Sequence, residues 1–189
     1  NACNLTCGFC SRDVKPPSHW SAEGAFATLK AFEALGVLEV AFGGGEPLVF
    51  RGFDDLLARL RSETSLALNV TTNGALLTPE RSLHLAAHAG EVRVSLYDDN
   101  PWRAALTMLA AAGVRTGANV IVDRTRLDEL PVLLAELPAL GCHDVALLRF
   151  IGADASKERH SASLRSKNSG LLVRKKEMEA RRRMAHAAA

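Results

Sequence analysis

Asn1-Ala2-Cys3-Asn4-Leu5-Thr6-Cys7-Gly8-Phe9-Cys10 opens the chain, and three of its four cysteines stand here, spaced C-x3-C-x2-C. An odd number of thiols cannot close a disulfide framework, and loops this short strain an intramolecular disulfide. Three soft sulfur ligands on one loop suit iron held by thiolates. A closed four-iron cluster takes four cysteines. The loop supplies three, and Cys142 is far away in sequence. The spacing therefore predicts a four-iron cluster with one iron open to an outside ligand. A zinc site or a redox thiol cluster is the competing reading. Zinc takes four closed ligands in paired spacings, and the sequence has no second cysteine pair.

Working outward, short apolar runs alternate with helical patterns. Ser21 caps a helix to about Leu35, and Val37 to Phe42 reads as a buried strand. Gly43-Gly44-Gly45-Glu46-Pro47 breaks that strand, and Asp54 or Asp55 starts a second helix. Leu66 to Thr72 is the next strand, ending in the turn pair Asn73-Gly74. Thr78-Pro79-Glu80 is a strong helix start. Val92 to Leu96 is a strand, Asn100-Pro101 opens a helix, and Val114 to Val122 is a strand. Asp128 caps a helix with Pro131 in its first turn, and Asp144 to Phe150 is the last strand. The apolar runs read as strands without a period of two, hence as parallel strands covered by helices. A right-handed βα repeat closes as an open doubly wound sheet or as a barrel. The residue pattern does not choose between them.

The motif C-x3-C-x-aromatic-C, with Phe9 as its aromatic, resembles the signature of the radical S-adenosylmethionine (SAM) enzymes. Gly43-Gly44-Gly45-Glu46-Pro47 is similar to that family's GGE-P motif. The resemblance covers about residues 1–150. It is to the members that mature ribosomal peptides or build cofactors such as molybdopterin or haem, which usually carry further cysteines downstream. It implies an α/β fold, a partial TIM-type (β/α)6 barrel, with the cysteine loop after its first strand. That strand is not in this sequence, so the chain is read as a fragment or as trimmed at its N-terminus.

The resemblance further implies a [4Fe-4S] cluster on Cys3, Cys7 and Cys10, with SAM chelating the open iron. Reductive cleavage of SAM to a 5′-deoxyadenosyl radical would then abstract hydrogen from a peptide or small-molecule substrate. An electron donor such as flavodoxin or ferredoxin is implied. Phe9 would shield the cluster and offer its backbone to adenine. Gly44 and Gly45 expose backbone to a ligand, and Glu46 adds negative charge, a combination that suits the methionine ammonium. Thr72 and Asn73 would reach the ligand from the next strand end, or simply make a turn. Ser95 would contact ribose or carboxylate, or bond to backbone. Asn119 would touch SAM or make a core hydrogen bond. Leu147, Leu148 and Phe150 would pack on adenine or be core, and Arg149 would face substrate. His19 and Trp20 would cover the cluster or lie on the surface. No catalytic residue is assigned.

The 189 residues allow one domain with a substantial core, and 48% hydrophobic with 23% charged residues is ordinary for a globular chain. Residues 1–150 form the core domain. Residues 151–189 hold ten Lys/Arg against four Asp/Glu, a basic and partly helical or solvated tail. The tail has no aromatic platform for stacking bases, which argues against nucleic acid. No signal peptide is read, and no apolar run approaches the roughly 20 residues of a membrane span. Clustered reduced thiols place the chain in the cytoplasm. The alternatives to a radical SAM enzyme are an inactive truncated fragment and a metal-binding or redox module without SAM chemistry.

Overall fold

The computed structural model describes residues 2–10 and 20–149. Pro16-Pro17, His19, Phe150 and the basic tail lie outside the described residues, and so does the expected division at residue 150. The first helix, α1 (Ala22–Ala34), precedes β1 (Glu39–Phe42), and the order then repeats: α2 (Phe53–Glu63), β2 (Ala67–Thr72), α3 (Pro79–His88), β3 (Glu91–Leu96), α4 (Trp102–Ala111), β4 (Thr116–Val122), α5 (Arg124–Glu136), β5 (Cys142–Arg149).

All neighbouring strands pair in parallel, and their order in the sheet is β1-β2-β3-β4-β5. This order decides between the two architectures left open by the residue pattern. Right-handed crossovers that always step the same way put every helix on one face of the sheet. A doubly wound sheet would reverse direction and cover both faces. The result is an open arc of a βα barrel, the partial barrel expected from the resemblance.

The strands do not lack a period of two, which corrects the reading above. Exposure alternates along β2 and β3, with Leu68, Val70, Val92 and Val94 at 0–2%. Their partners Asn69, Thr71, Glu91 and Arg93 point to the other face and are half-buried. The apolar side meets Leu57 and Leu60 of α2, Leu85 of α3, and Leu106 and Leu109 of α4, all fully buried. The opposite, concave side carries polar residues, and none of the described helices covers it. The first strand departs as well, since Val37 and Leu38 precede β1 and are exposed.

Caps set most helix starts. The Ser21 and Thr78 hydroxyls accept from Gly24 N at 3.0 Å and Arg81 N at 3.2 Å, as read from the sequence. Three starts differ. The second helix begins at Phe53 behind Gly52, whose φ of 80° turns the chain into it, rather than at Asp54 or Asp55. The fourth begins at Trp102, and Asn100 is engaged elsewhere. The fifth is capped by Asp123, whose Oδ1 accepts from Arg126 N at 2.8 Å, not by Asp128. Pro131 therefore lies inside that helix rather than in its first turn. Cys142 opens β5, ahead of the Asp144 start read from the sequence, and its thiol is buried.

Candidate functional site

The loops at the carboxyl ends of β1, β2 and β3 meet the cysteine loop around one cavity of about 260 Å³. Cys3, Cys7, Cys10 and Phe9 line it from the cysteine loop. Gly44, Gly45 and Glu46 line it from the loop after β1, and Thr72, Asn73 and Ser95 from the ends of β2 and β3. Of the eight residues the resemblance assigned to the cofactor, seven therefore share one wall. Asn119 is the eighth; it does not line this cavity but stands on the next strand, opposite Ser95 in the register.

Glu46 is the knot of the assembly. It is 3% exposed. Its Oε1 accepts from Leu48 N at 3.2 Å and from the Thr72 hydroxyl at 2.8 Å, and its Oε2 accepts from Asn73 N at 2.7 Å. Its backbone N donates to Ala2 O at 2.9 Å. A buried carboxylate needs such donors, because leaving it unpaired is costly. The side chain thus joins the glycine loop to the tip of β2, and the backbone joins it to the cysteine loop. Asn73 continues the chain of contacts: its Nδ2 donates to Asn4 Oδ1 at 2.9 Å and lies 3.9 Å from Cys3 Sγ. Gly44 turns with φ of 103°, a left-handed conformation that a side chain would strain.

Asn100, read from the sequence as part of a helix start, is a buried clamp. Its Nδ2 donates to Asn73 O and to Ser95 O, both at 2.7 Å, while its Oδ1 accepts from Tyr97 N at 3.0 Å. One amide therefore holds the tips of β2 and β3 at a set separation. Tyr97 packs against Phe9, with ring centroids 4.8 Å apart and planes at 57°. That pair closes the cavity between the cysteine loop and β3. Neither Tyr97 nor Asn100 was assigned to the site from the sequence. Each sits in a loop, where pattern carries no sign of burial.

Below the cavity, the concave face carries a charged floor. Arg93 Nη1 meets Glu91 Oε1 at 2.5 Å, and its Nη2 meets Asp144 Oδ1 at 2.6 Å and donates to Ala118 O at 3.2 Å. Its Nε donates to Asn119 Oδ1 at 2.9 Å. Gly117 leaves the space this requires, since a Cβ there would lie 2.7 Å from Glu91 Oε1 and 2.9 Å from Arg93 Nη1. The hydrogen bond from Arg93 holds the Asp144 carboxyl below its usual range. Burial pulls the Arg93 guanidinium down, and its two carboxylate partners more than offset that.

The remaining expectations separate. Leu147 and Leu148 are 48% and 44% exposed among the described residues, so they are not core there. Trp20 lines a second, larger and mostly apolar cavity of about 790 Å³ between α1 and β1, away from the cysteines.

The donor set fits an iron–sulfur cluster better than a single ion. Ligands of one tetrahedral zinc crowd within about 4 Å of one another, given Zn–S bonds of about 2.3 Å. Among the described residues no three His, Cys, Asp or Glu side chains converge to hold one metal ion. Cys3, Cys7 and Cys10 line the same cavity, as ligands to separate corners of one cluster must. All four cysteines are thiols. Burial pushes the Cys142 thiol up, which suits a packed sulfur rather than a ligand.

The radical SAM superfamily model matches residues 1–100. The GTP 3',8-cyclase of Synechococcus sp. (strain CC9902) is 33% identical over 112 residues, covering 57% of this chain and 32% of that protein. The sporulation killing factor maturation protein SkfB of Bacillus subtilis (strain 168) is 34% identical over 101 residues, 52% of this chain and 24% of that one. The chain thus spans about a quarter to a third of these relatives. Among solved structures, Streptococcus suis SuiB bound to S-adenosylmethionine superposes with a TM-score of 0.71 at 18% identity, covering 86% of this chain and 44% of SuiB. In its complex with the precursor peptide SuiA the score is 0.72 at 17% identity, over 91% and 45%. No described helix is long and apolar enough to cross a membrane. By the extent of the family match, which takes in the cysteine loop, the glycine loop and the ends of β2 and β3, this chain belongs to the radical SAM superfamily.

Proposed function

We propose that the chain is a radical SAM enzyme, with a [4Fe-4S] cluster on Cys3, Cys7 and Cys10 and SAM at the open iron. The observation that carries this reading is the single cavity shared by the three cysteines, the glycine loop and the tips of β2 and β3. The chemistry the bound pair would supply is one-electron reductive cleavage of SAM to methionine and a 5′-deoxyadenosyl radical that takes hydrogen from substrate.

The chain's own part is placement. Both Glu46 oxygens already accept hydrogen bonds, so its charge stabilises the ammonium at short range while the Gly44 and Gly45 backbone offers the direct acceptors. Thr72 and Asn73 are held by that same carboxylate, and Ser95 by Asn100. Phe9 and Tyr97 keep water from one side of the cavity. Flavodoxin or ferredoxin is the class of electron donor this requires. The substrate is a peptide or a cofactor precursor. The first is supported by the likeness to SkfB, named as a maturation protein, and the second by the likeness to the GTP cyclases.

Anaerobic iron–sulfur reconstitution followed by electron paramagnetic resonance tests the proposal. The expected result is a reduced-cluster signal that changes on adding SAM, with 5′-deoxyadenosine formed even without substrate. A cluster indifferent to SAM would support a redox module instead. A chain that takes up no cluster would overturn the enzyme reading.

A further inference from the structure

We infer that Arg93 is a positioning residue for SAM, acting through Asn119, so that the site presents an amide N–H donor beside Ser95. The inference rests on the proposed SAM site and goes beyond it, since neither motif contains Arg93. Arg93 lies two residues before Ser95 on β3, hence on the same concave face. Asn119 pairs with Ser95 in the register of β3 and β4, and so continues the site wall by one strand.

The chemistry of Arg93 fixes which way the Asn119 amide points. A guanidinium has donors only. The atom 2.9 Å from Arg93 Nε must therefore be the Asn119 oxygen. The Asn119 Nδ2 is then turned away from Arg93, and among the described residues it donates to nothing. A half-buried amide donor left over on β4, one strand beyond the Ser95 that lines the cavity, is a binding group for an acceptor that reaches past Ser95. The ligand oxygen or ring nitrogen of an adenosyl group or an amino-acid carboxylate meets that requirement; an ammonium does not.

Arg93 is itself held. Glu91 grips Nη1 and Asp144 grips Nη2, while Ala118 O takes a further hydrogen bond from Nη2. These contacts leave Nε a single direction, toward Asn119. Lysine carries the charge but not the planar fork, so it can satisfy the carboxylates without orienting the amide. Asn119 thus reconciles the two expectations for it, since its oxygen makes the internal hydrogen bond and its nitrogen serves the ligand.

A double-mutant cycle on the reconstituted chain tests this, reading the SAM dissociation constant by calorimetry together with iron content and melting temperature. Asn119→Ala and Arg93→Lys should each weaken SAM binding by about fivefold to tenfold at parental iron content. Arg93→Lys placed on Asn119→Ala should add nothing, because the residue it positions is gone. Asn119→Asp keeps a partner for Arg93 and so guards against misfolding. It lacks the N–H donor and should also bind SAM weakly. Unchanged affinity in Arg93→Lys or Asn119→Asp overturns the inference, and so does an equal loss when Arg93→Lys is added to Asn119→Ala. A parental chain that holds iron but no SAM overturns the proposed function and this inference with it.

Discussion

Along β3, Val92, Val94 and Leu96 are 0–1% exposed and face helices, while Glu91, Arg93 and Ser95 face the concave side. Six successive residues thus serve two media. The covered side is non-directional apolar packing against α3 and α4, where volume matters. The concave side is directional, built from hydrogen bonds whose donors and acceptors must match. A change on the first side should alter stability and spare the ligand; a change on the second should do the reverse.

The largest expected effect lies at the rim of the concave side. Replacing Cys3, Cys7 or Cys10 with alanine should abolish cluster iron and the SAM-dependent resonance signal. The melting temperature of the metal-free chain should stay near parental, since these side chains are only half-buried. Loss of fold in the metal-free variant would break the division between the two sides.

Next comes the covered side. Leu106 on α4 is fully buried. Leu106→Ala should cost about 2–5 kcal/mol by denaturant titration. Iron per chain and SAM affinity should be unchanged under conditions where the variant is folded. A ligand defect without a stability defect would contradict the comparison.

Glu46 lies where the two sides meet, so it sharpens the contrast. Glu46→Gln replaces one acceptor oxygen by a donor facing a donor, and should cost about 1–3 kcal/mol. SAM retention should fall while iron content holds, because the thiolates stay on their own loop. Loss of iron along with SAM would show that this carboxylate also sets the cysteine loop.

The smallest effect is at the floor and depends on pH. The folded-state carboxyl of Asp144 is held low, so its contribution to stability is present above the ordinary carboxylate range and lost as pH falls through the lowered value. The side chain is 42% exposed, so solvent screens that contribution. Asp144→Asn should therefore lower the melting temperature slightly at neutral pH, and the difference from the parental chain should vanish as pH falls below about 4, which flattens the acid limb.

Much of the site was legible because it is local. The cysteine spacing lies within eight residues, and Gly44-Gly45-Glu46 is contiguous. Helix starts with a capping hydroxyl, at Ser21 and Thr78, were read correctly for the same reason. What escaped depends on distant partners. Asn100 looks like a turn residue until the tips of β2 and β3 are placed beside it. Arg93 looks like an ordinary strand cation until Glu91, Asp144 and Asn119 surround it. The alternation in Glu91-Val92-Arg93-Val94-Ser95-Leu96 is visible in the sequence, but it is not what parallel strands buried on both faces show, and only the polar concave side gives it a meaning.

The amino-acid order alone determined the three-thiol loop, the glycine turn and the βα repeat. Each follows from the chemistry or conformational limits of near neighbours. Only the tertiary structure decided that the strands run in sequential order with the described helices on one face. It also decided that Glu46 spends its oxygens on the protein, and that Asn119 turns its oxygen to Arg93. Those outcomes turn on hydrogen-bond partners 25 or more residues apart, which meet only when the sheet has formed.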